Sequence, residues 1–77
     1  SDWLSVADIK QFQLRQVSLE RINVIMVMQG QLTEQQKQQL EQKLHHSLGY
    51  PFSFSFEYVD EITRLKNGKF EDFISEL

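Results

Sequence analysis

The sequence predicts an α+β fold, a three-stranded mixed sheet with one main helix and a short helix or strand at the C-terminus. Three observations predict it. Residues 10–17 and 22–28 are strand-like stretches joined by a short link, which is typical of a β-hairpin. Leucines spaced four apart indicate a helix over 33–48, and strictly alternating residues 52–58 indicate a third strand. A chain of 77 residues forms a single domain.

The two strands of the hairpin differ in the apolar character of their faces. The first strand places Phe12 and Leu14 on one face and loses this alternation near Gln16 and Val17, where a bulge or twist is expected. The second strand is apolar on both faces, which is the pattern of a covered central strand. Residues 18–21 are few enough to join the two strands directly.

The predicted helix has start and stop signals in the sequence. Thr33 and Gln36 have the spacing of a capping box, and Gly49 is placed to end the helix. The residues expected to face the core recur every four positions, at Leu40, Leu44 and Leu48. The many glutamines between 29 and 42 are therefore interpreted as the solvent-facing side of this helix rather than as a low-complexity tract.

The third predicted strand has one aromatic face. Its aromatic residues are Phe52, Phe54, Phe56 and Tyr58, and its polar residues are Ser53, Ser55 and Glu57. An RNA-binding domain could use such a row as a stacking platform, but basic neighbours would then be expected. We therefore expect the aromatic row to be buried under the helix. A right-handed crossover through the helix would make this strand parallel to the second one.

The C-terminal residues leave two structures open. Phe70, Phe73, Ile74 and Leu77 fall at helical spacing, which favours a short terminal helix. Eight residues are few for a helix, so a closing strand remains an alternative.

Composition excludes several kinds of site. The chain has no cysteine, so it has neither a disulfide framework nor a thiolate metal site. The net charge of −3 argues against a dedicated nucleic-acid binder. His45 and His46 are adjacent, so their side chains point about 100° apart on a helix and do not share a face as metal ligands would. No metal site is expected.

The sequence shows no long apolar run and no signal-peptide pattern, so a cytoplasmic location is expected. The chain starts at Ser1 without an initiator Met, which suggests that it was excised from a longer protein.

Basic residues concentrate beside a predicted turn. Arg64, Lys66 and Lys69 are three of the eight basic residues, and Asn67-Gly68 is a strong tight-turn pair. Taken alone, such a segment is usually a solvated loop.

A longer stretch around this turn resembles a known family. The run Val59-Asp60-Glu61-Ile62-Thr63-Arg64, followed by Gly68-Lys69-Phe70, is similar to the closing motif of the adenylate-forming enzymes, the acyl-CoA synthetase superfamily. The Gly-Lys-Phe form is most similar to the phenylacetate–CoA ligase and capsular polysaccharide biosynthesis branch. The order of strands and helix also fits the C-terminal domain of that family.

The resemblance implies a function for the chain as one part of a larger enzyme. Residues 1–77 would be the mobile C-terminal lid domain of a carboxylic acid–CoA ligase, and the N-terminal adenylation domain would be its partner. Lys69 would be the catalytic residue of the adenylation step, with Gly68 and Arg64 in support of substrate or nucleotide binding. The full enzyme would use ATP, Mg²⁺ and CoA. The isolated domain would bind no cofactor and catalyse nothing, since the nucleotide-binding motifs belong to the other domain.

The sequence departs from the family pattern at three positions. Thr63 replaces the usual Pro, Leu65 replaces the usual Thr, and Glu71 stands near the place of a frequent Arg. A non-enzymatic α+β interaction or dimerisation module is the alternative function, and an RNA-binding domain is a weaker one.

Overall fold

The computed structural model describes residues 6–63 and 73–77, which form a four-stranded sheet with one helix on it. The elements are β1 (Ile9–Gln16), β2 (Arg21–Met28), α1 (Glu34–Leu48), β3 (Ser53–Tyr58) and β4 (Phe73–Ser75). The strand order is β3-β2-β1-β4. The predicted α+β class, the hairpin and the order of strand, strand, helix and strand are confirmed.

The pairing of the strands defines two ends of the sheet. β1 and β2 are antiparallel, β3 is parallel to β2, and β4 is parallel to β1. The end where β1 begins and where β2 and β3 finish is called the loop end. The opposite end, which carries the β1–β2 turn, is called the hairpin end. The predicted parallel crossover from β2 to β3 through the helix is therefore present.

The sheet has four strands rather than the predicted three. Of the two forms left open for the C-terminus, residues 73–75 form the strand and not the favoured helix. Leu14 lies opposite Phe73 in this pairing, and Glu76 N donates to Gln16 O at 2.9 Å. The outer edge of β1 gives these few residues backbone hydrogen bonds, whereas a helix that short would lack most of its own.

The helix begins and ends where the capping signals predicted. Thr33 Oγ1 accepts from Gln36 N at 3.1 Å, and Gln36 Oε1 accepts from Thr33 N at 2.9 Å. Gly49 adopts a left-handed conformation with φ of 69°, and its N–H donates to His45 O. Among the described residues, no helix has both the length and the apolar character that crossing a membrane requires.

The core lies between α1 and one face of the sheet. Its six most deeply buried side chains are Leu14, Ile22, Val24, Met26, Leu40 and Leu44. Leu48, predicted to be buried with the other two helix leucines, is only half-buried at the edge of this cluster. Leu40 and Leu44 are the buried residues of α1, and their burial holds the helix on the sheet.

The aromatic row of β3 belongs to the core. Phe54 and Phe56 are half-buried and pack against the buried cluster, as expected from the alternation. The ring of His45 lies 5.1 Å from that of Phe54, and Lys37 Nζ lies 5.9 Å from the centre of the Phe56 ring. Side chains of α1 therefore cover the row, which is not an open stacking platform.

The irregularity in β1 lies at the end opposite to the predicted one. The register shift occurs between Ile9 and Gln11, and pairing is regular from there to Gln16. Val17 N donates to Arg21 O at 3.0 Å in the turn. The prediction of a bulge near Gln16 and Val17 was wrong. The alternation of apolar and polar residues is lost at that point because β1 ends at Gln16.

Candidate functional site

The three residues predicted to serve the active site lie outside the described residues. These are Arg64, Gly68 and Lys69. The structure describes residues 59–63, which lead from β3 into that segment and are called the lead-in. It also describes residues 73–77 beyond the segment, where β4 joins the edge of β1.

Two hydrogen bonds hold the lead-in on the sheet. Val59 N donates to Met26 O at 2.9 Å, which continues the pairing of β3 with β2 by one residue. Ile62 N then donates to the Oε1 atom of Gln11 at 3.3 Å. Because Gln11 belongs to β1, the lead-in passes from the outer strand β3 across to β1 at the loop end. Its position is therefore set by side-chain and backbone contacts shortly before Arg64.

The lead-in borders a groove on the face of the sheet opposite α1. This open-face groove has a cavity volume of about 410 Å³. Its floor and walls are formed by side chains of all four strands or their ends and by the lead-in, among them Gln13, Arg15, Asn23, Ile25, Glu57, Val59, Glu61, Ile62 and Glu76. Gln13 is the buried polar side chain of this floor, with 5% of its surface exposed.

Hydrogen bonds between neighbouring strands order the polar side chains of the groove. Asn23 Nδ2 donates to Glu57 Oε1 at 2.9 Å, and Ser55 Oγ donates to Asn23 Oδ1 at 3.1 Å. On the other side, Arg15 donates from Nη1 to Glu76 Oε2 and from Nε to Gln13 Oε1, each at 2.9 Å. The Arg15–Gln13 bond lies within β1, and the other three bonds join residues of neighbouring strands or their ends, which stabilises this arrangement of side chains.

The polar groups of the groove are suited to hydrogen bonding. Among the described residues that line it, the polar groups are carboxylates, amides, a hydroxyl and one guanidinium, without a histidine or lysine. Within residues 6–63 and 73–77, histidine and carboxylate side chains form no group of three or more that could hold a metal ion. The carboxylates could instead accept hydrogen bonds from a cationic group.

The two histidines have structural positions on α1. His45 Nε2 donates to Phe52 O at 2.8 Å, so the imidazole joins the end of the helix to the chain entering β3. His46 is exposed in the same last turn. Both lie at the negative end of the helix dipole, as their position in the sequence predicted.

Sequence reasoning did not find the open-face groove. The signal was present in the alternation of two strands, since Gln13 and Arg15 lie between the core residues of β1, and Glu57 lies between those of β3. These polar positions become neighbours only through β2, which separates the two strands. The order of strands was therefore needed to bring them together.

Comparison with known proteins shows the family of the chain. Residues 3–76 match the family described as CapK C-terminal domain. No curated protein and no solved structure matches the chain. The match spans nearly all 77 residues, including the lead-in and the Gly68-Lys69 pair, and agrees with the resemblance to the capsular biosynthesis branch. The chain belongs to the CapK C-terminal domain family.

Proposed function

We propose that this chain is the C-terminal domain of an adenylate-forming carboxylic acid–CoA ligase and that it supplies Lys69 to the adenylation step. The observation that carries the proposal is the family match over residues 3–76, which describes a C-terminal domain. The motif from Val59 to Phe70 adds the chemistry, because it resembles the closing motif of that superfamily.

The proposed reaction explains why a lysine is needed. Attack of a carboxylate on the α-phosphate of ATP brings two anions together and expels pyrophosphate. The Lys69 ammonium would stabilise the charge that develops between them, and a compact charge on a long, flexible side chain suits that position. Gly68 would leave room beside the nucleotide, since it has no side chain. Arg64 would add a second positive charge near the phosphates.

The described geometry supports a role at the loop end. The lead-in is fixed by Val59 and Ile62, so the segment carrying Lys69 starts from a defined place on the sheet. Residues 6–8 precede β1 at this same end. An adenylation domain joined through them would meet the domain on the side from which the lysine segment leaves β3.

ATP, Mg²⁺ and CoA would be bound by the adenylation domain. The open-face groove is a poor nucleotide site, because the described residues of its lining include three glutamates and one arginine. Phosphate groups would be repelled there. The isolated 77-residue chain should therefore neither hydrolyse ATP nor bind it tightly.

An interaction or dimerisation module is the second candidate. The observation in its favour is apolar exposure at the hairpin end, where Leu19 is 75% and Leu77 is 66% exposed. Within the described residues, β3 also has no neighbour on its outer side. Both features fit a surface that binds another protein.

The test is the activity of the full-length gene product. Purified protein is incubated with ATP, Mg²⁺ and single carboxylic acids, including phenylacetate and other aromatic acids, and pyrophosphate release is followed with and without CoA. We expect release that depends on one class of acid and formation of a thioester when CoA is added. A gene product that carries no further domain and shows no acid-dependent release would contradict the proposal and favour the interaction module.

A further inference from the structure

The two faces of the sheet are covered differently. α1 packs on the face that carries Leu14, Val24 and Phe56. In the described part of the chain, the opposite face carries no helix, and the lead-in crosses it only at the loop end. The open-face groove lies there, between the lead-in and the row formed by Arg15 and Asn23. This uncovered face and its groove are therefore a candidate surface for docking another part of a protein.

The groove combines an aliphatic surface with excess negative charge. Ile25, Val59 and Ile62 are half-buried and give it aliphatic walls. Arg15 is paired with Glu76 at 2.9 Å, so these two charges offset each other. The other two glutamates, Glu57 and Glu61, form no ion pair with any residue in the part of the chain that the structure describes.

The carboxylate-bearing residues Glu57 and Glu61 line the groove together with the aliphatic residues. Glu57 accepts its hydrogen bond from the neutral amide of Asn23 at 2.9 Å, which orients the carboxylate without neutralising it. Glu61 is exposed on the lead-in, one residue before Ile62. The described residues of the groove lining therefore have a formal charge of −2, from three glutamates and one arginine.

We infer that the open-face groove docks an arginine or lysine side chain presented by the adenylation domain. Such a side chain has an aliphatic stem that can lie along Ile25 and Ile62 and a charged end that can reach Glu57 and Glu61. A guanidinium fits best, because its planar donors can bind a carboxylate at two points. The inference rests on the proposed function for the identity of the partner, and on the groove itself for the chemistry.

The position of the groove favours the adenylation domain as the source of this side chain. Residues 6–8 lead into β1 at the loop end, where Ile62 also binds Gln11. A domain that precedes this chain is thus joined to it beside the groove. The docked side chain would contact the lead-in, whose last residue, Thr63, immediately precedes Arg64 in the sequence. Docking would consequently fix the base of the segment that carries Lys69.

The chemistry of the groove is tested on the 77-residue chain with a synthetic peptide. The probe is an acetylated, amidated pentapeptide with two arginines separated by glycines, and the control peptide has citrulline in place of each arginine. Amide chemical shifts are followed during titration at low salt. We expect saturable shifts centred on Ile25, Glu57 and Ile62 with the arginine peptide, and no such response to citrulline.

A pair of variants tests which carboxylates carry the binding. The Glu57→Gln/Glu61→Gln double variant should bind the arginine peptide about three- to tenfold more weakly than the wild type, since exposed charge pairs contribute modestly to binding. Glu20→Gln/Glu41→Gln changes the net charge equally but alters residues outside the groove, and should bind as the wild type does. An equal loss of affinity for the arginine peptide in both double variants would overturn the inference. Chemical-shift changes with the citrulline peptide that equal those with the arginine peptide would overturn it as well.

The identity of the partner is tested in the full-length protein. Amide hydrogen exchange of residues 53–63 is compared between the full-length protein and the 77-residue chain. We expect slower exchange in the full-length protein, and loss of that protection in the Glu57→Gln/Glu61→Gln variant. Protection unaffected by the double variant would overturn docking in this groove. Neither readout uses adenylation, so a failure of the proposed role of Lys69 would be seen separately.

Discussion

Truncation of Leu44 is the sharpest test of the packing of α1 on the sheet. Leu44 is fully buried, with 0% of its surface exposed, and lies in the core cluster with Leu40, Val24 and Ile22. Leu44→Ala removes three carbon groups, each of which contributes about 0.8 kcal/mol when buried. The transfer loss is therefore about 2.4 kcal/mol, and the cavity left behind raises the expected cost to about 2–5 kcal/mol.

This cost is a large part of the stability of a small domain. At about 0.05–0.15 kcal/mol per residue, a chain of 77 residues is stable by roughly 4–12 kcal/mol. The assay is urea unfolding followed by far-ultraviolet circular dichroism, with linear extrapolation to water. Leu44→Met, which keeps most of the volume, should cost less than about 1.5 kcal/mol and provides a folded comparison if the alanine variant unfolds.

Leu48→Ala is the matched control on the same helix. Leu48 is half-buried, so its truncation should cost clearly less than that of Leu44. Gln38→Ala, at an exposed position of the helix, should change stability by no more than about 0.5 kcal/mol. A cost for Leu44→Ala that is under about 1 kcal/mol, or no larger than that for Leu48→Ala, would refute the described packing.

Two further substitutions test hydrogen bonds at the N-terminal end of α1. Thr33→Ala removes the side-chain acceptor of the capping box and should destabilise the chain by about 1 kcal/mol in the same urea assay. Thr33→Ser keeps that acceptor and should retain most of the stability. An equal loss of stability in both variants would contradict the cap. Tyr58→Phe removes the hydroxyl oxygen that accepts from Leu32 N at 3.1 Å. Since Leu32 is buried, we expect a cost of about 1–2 kcal/mol, against almost none for Tyr50→Phe at an exposed position.

The elements defined by local signals were predictable from the sequence. The helix was placed within one residue because Thr33, Gln36 and Gly49 act on backbone groups only a few positions away. The third strand was predictable because the alternation of Phe54 and Phe56 with polar residues is itself the signature of a half-buried strand. For these elements, the short-range pattern and the final packing require the same conformation.

The elements defined by distant contacts were not predictable in the same way. Phe73 and Ile74 fit a helix as well as a strand, and the choice depends on the free edge of β1 some sixty residues earlier. The groove depends on the order of the strands, which brings Arg15 and Glu57 to one face. Lys69 was proposed from the resemblance to a family motif and lies outside the described residues, since a lysine beside a turn has no distinguishing physical pattern in the sequence.

The central claim is that Lys69 serves adenylation, and separate measurement of the two half-reactions in the full-length enzyme tests it most directly. Lys69→Ala should slow acyl-adenylate formation by about 10²–10³-fold, because the substitution removes one preorganised contact to the transition state. Conversion of pre-formed acyl-adenylate to the thioester should be unchanged, because we propose that the lid domain would rotate for that step and withdraw the lysine. Lys66→Ala, a lysine three positions away, is the matched control and should leave both rates near those of the wild type. Adenylation by Lys69→Ala at the wild-type rate would contradict the claim, and so would an equal loss in both half-reactions.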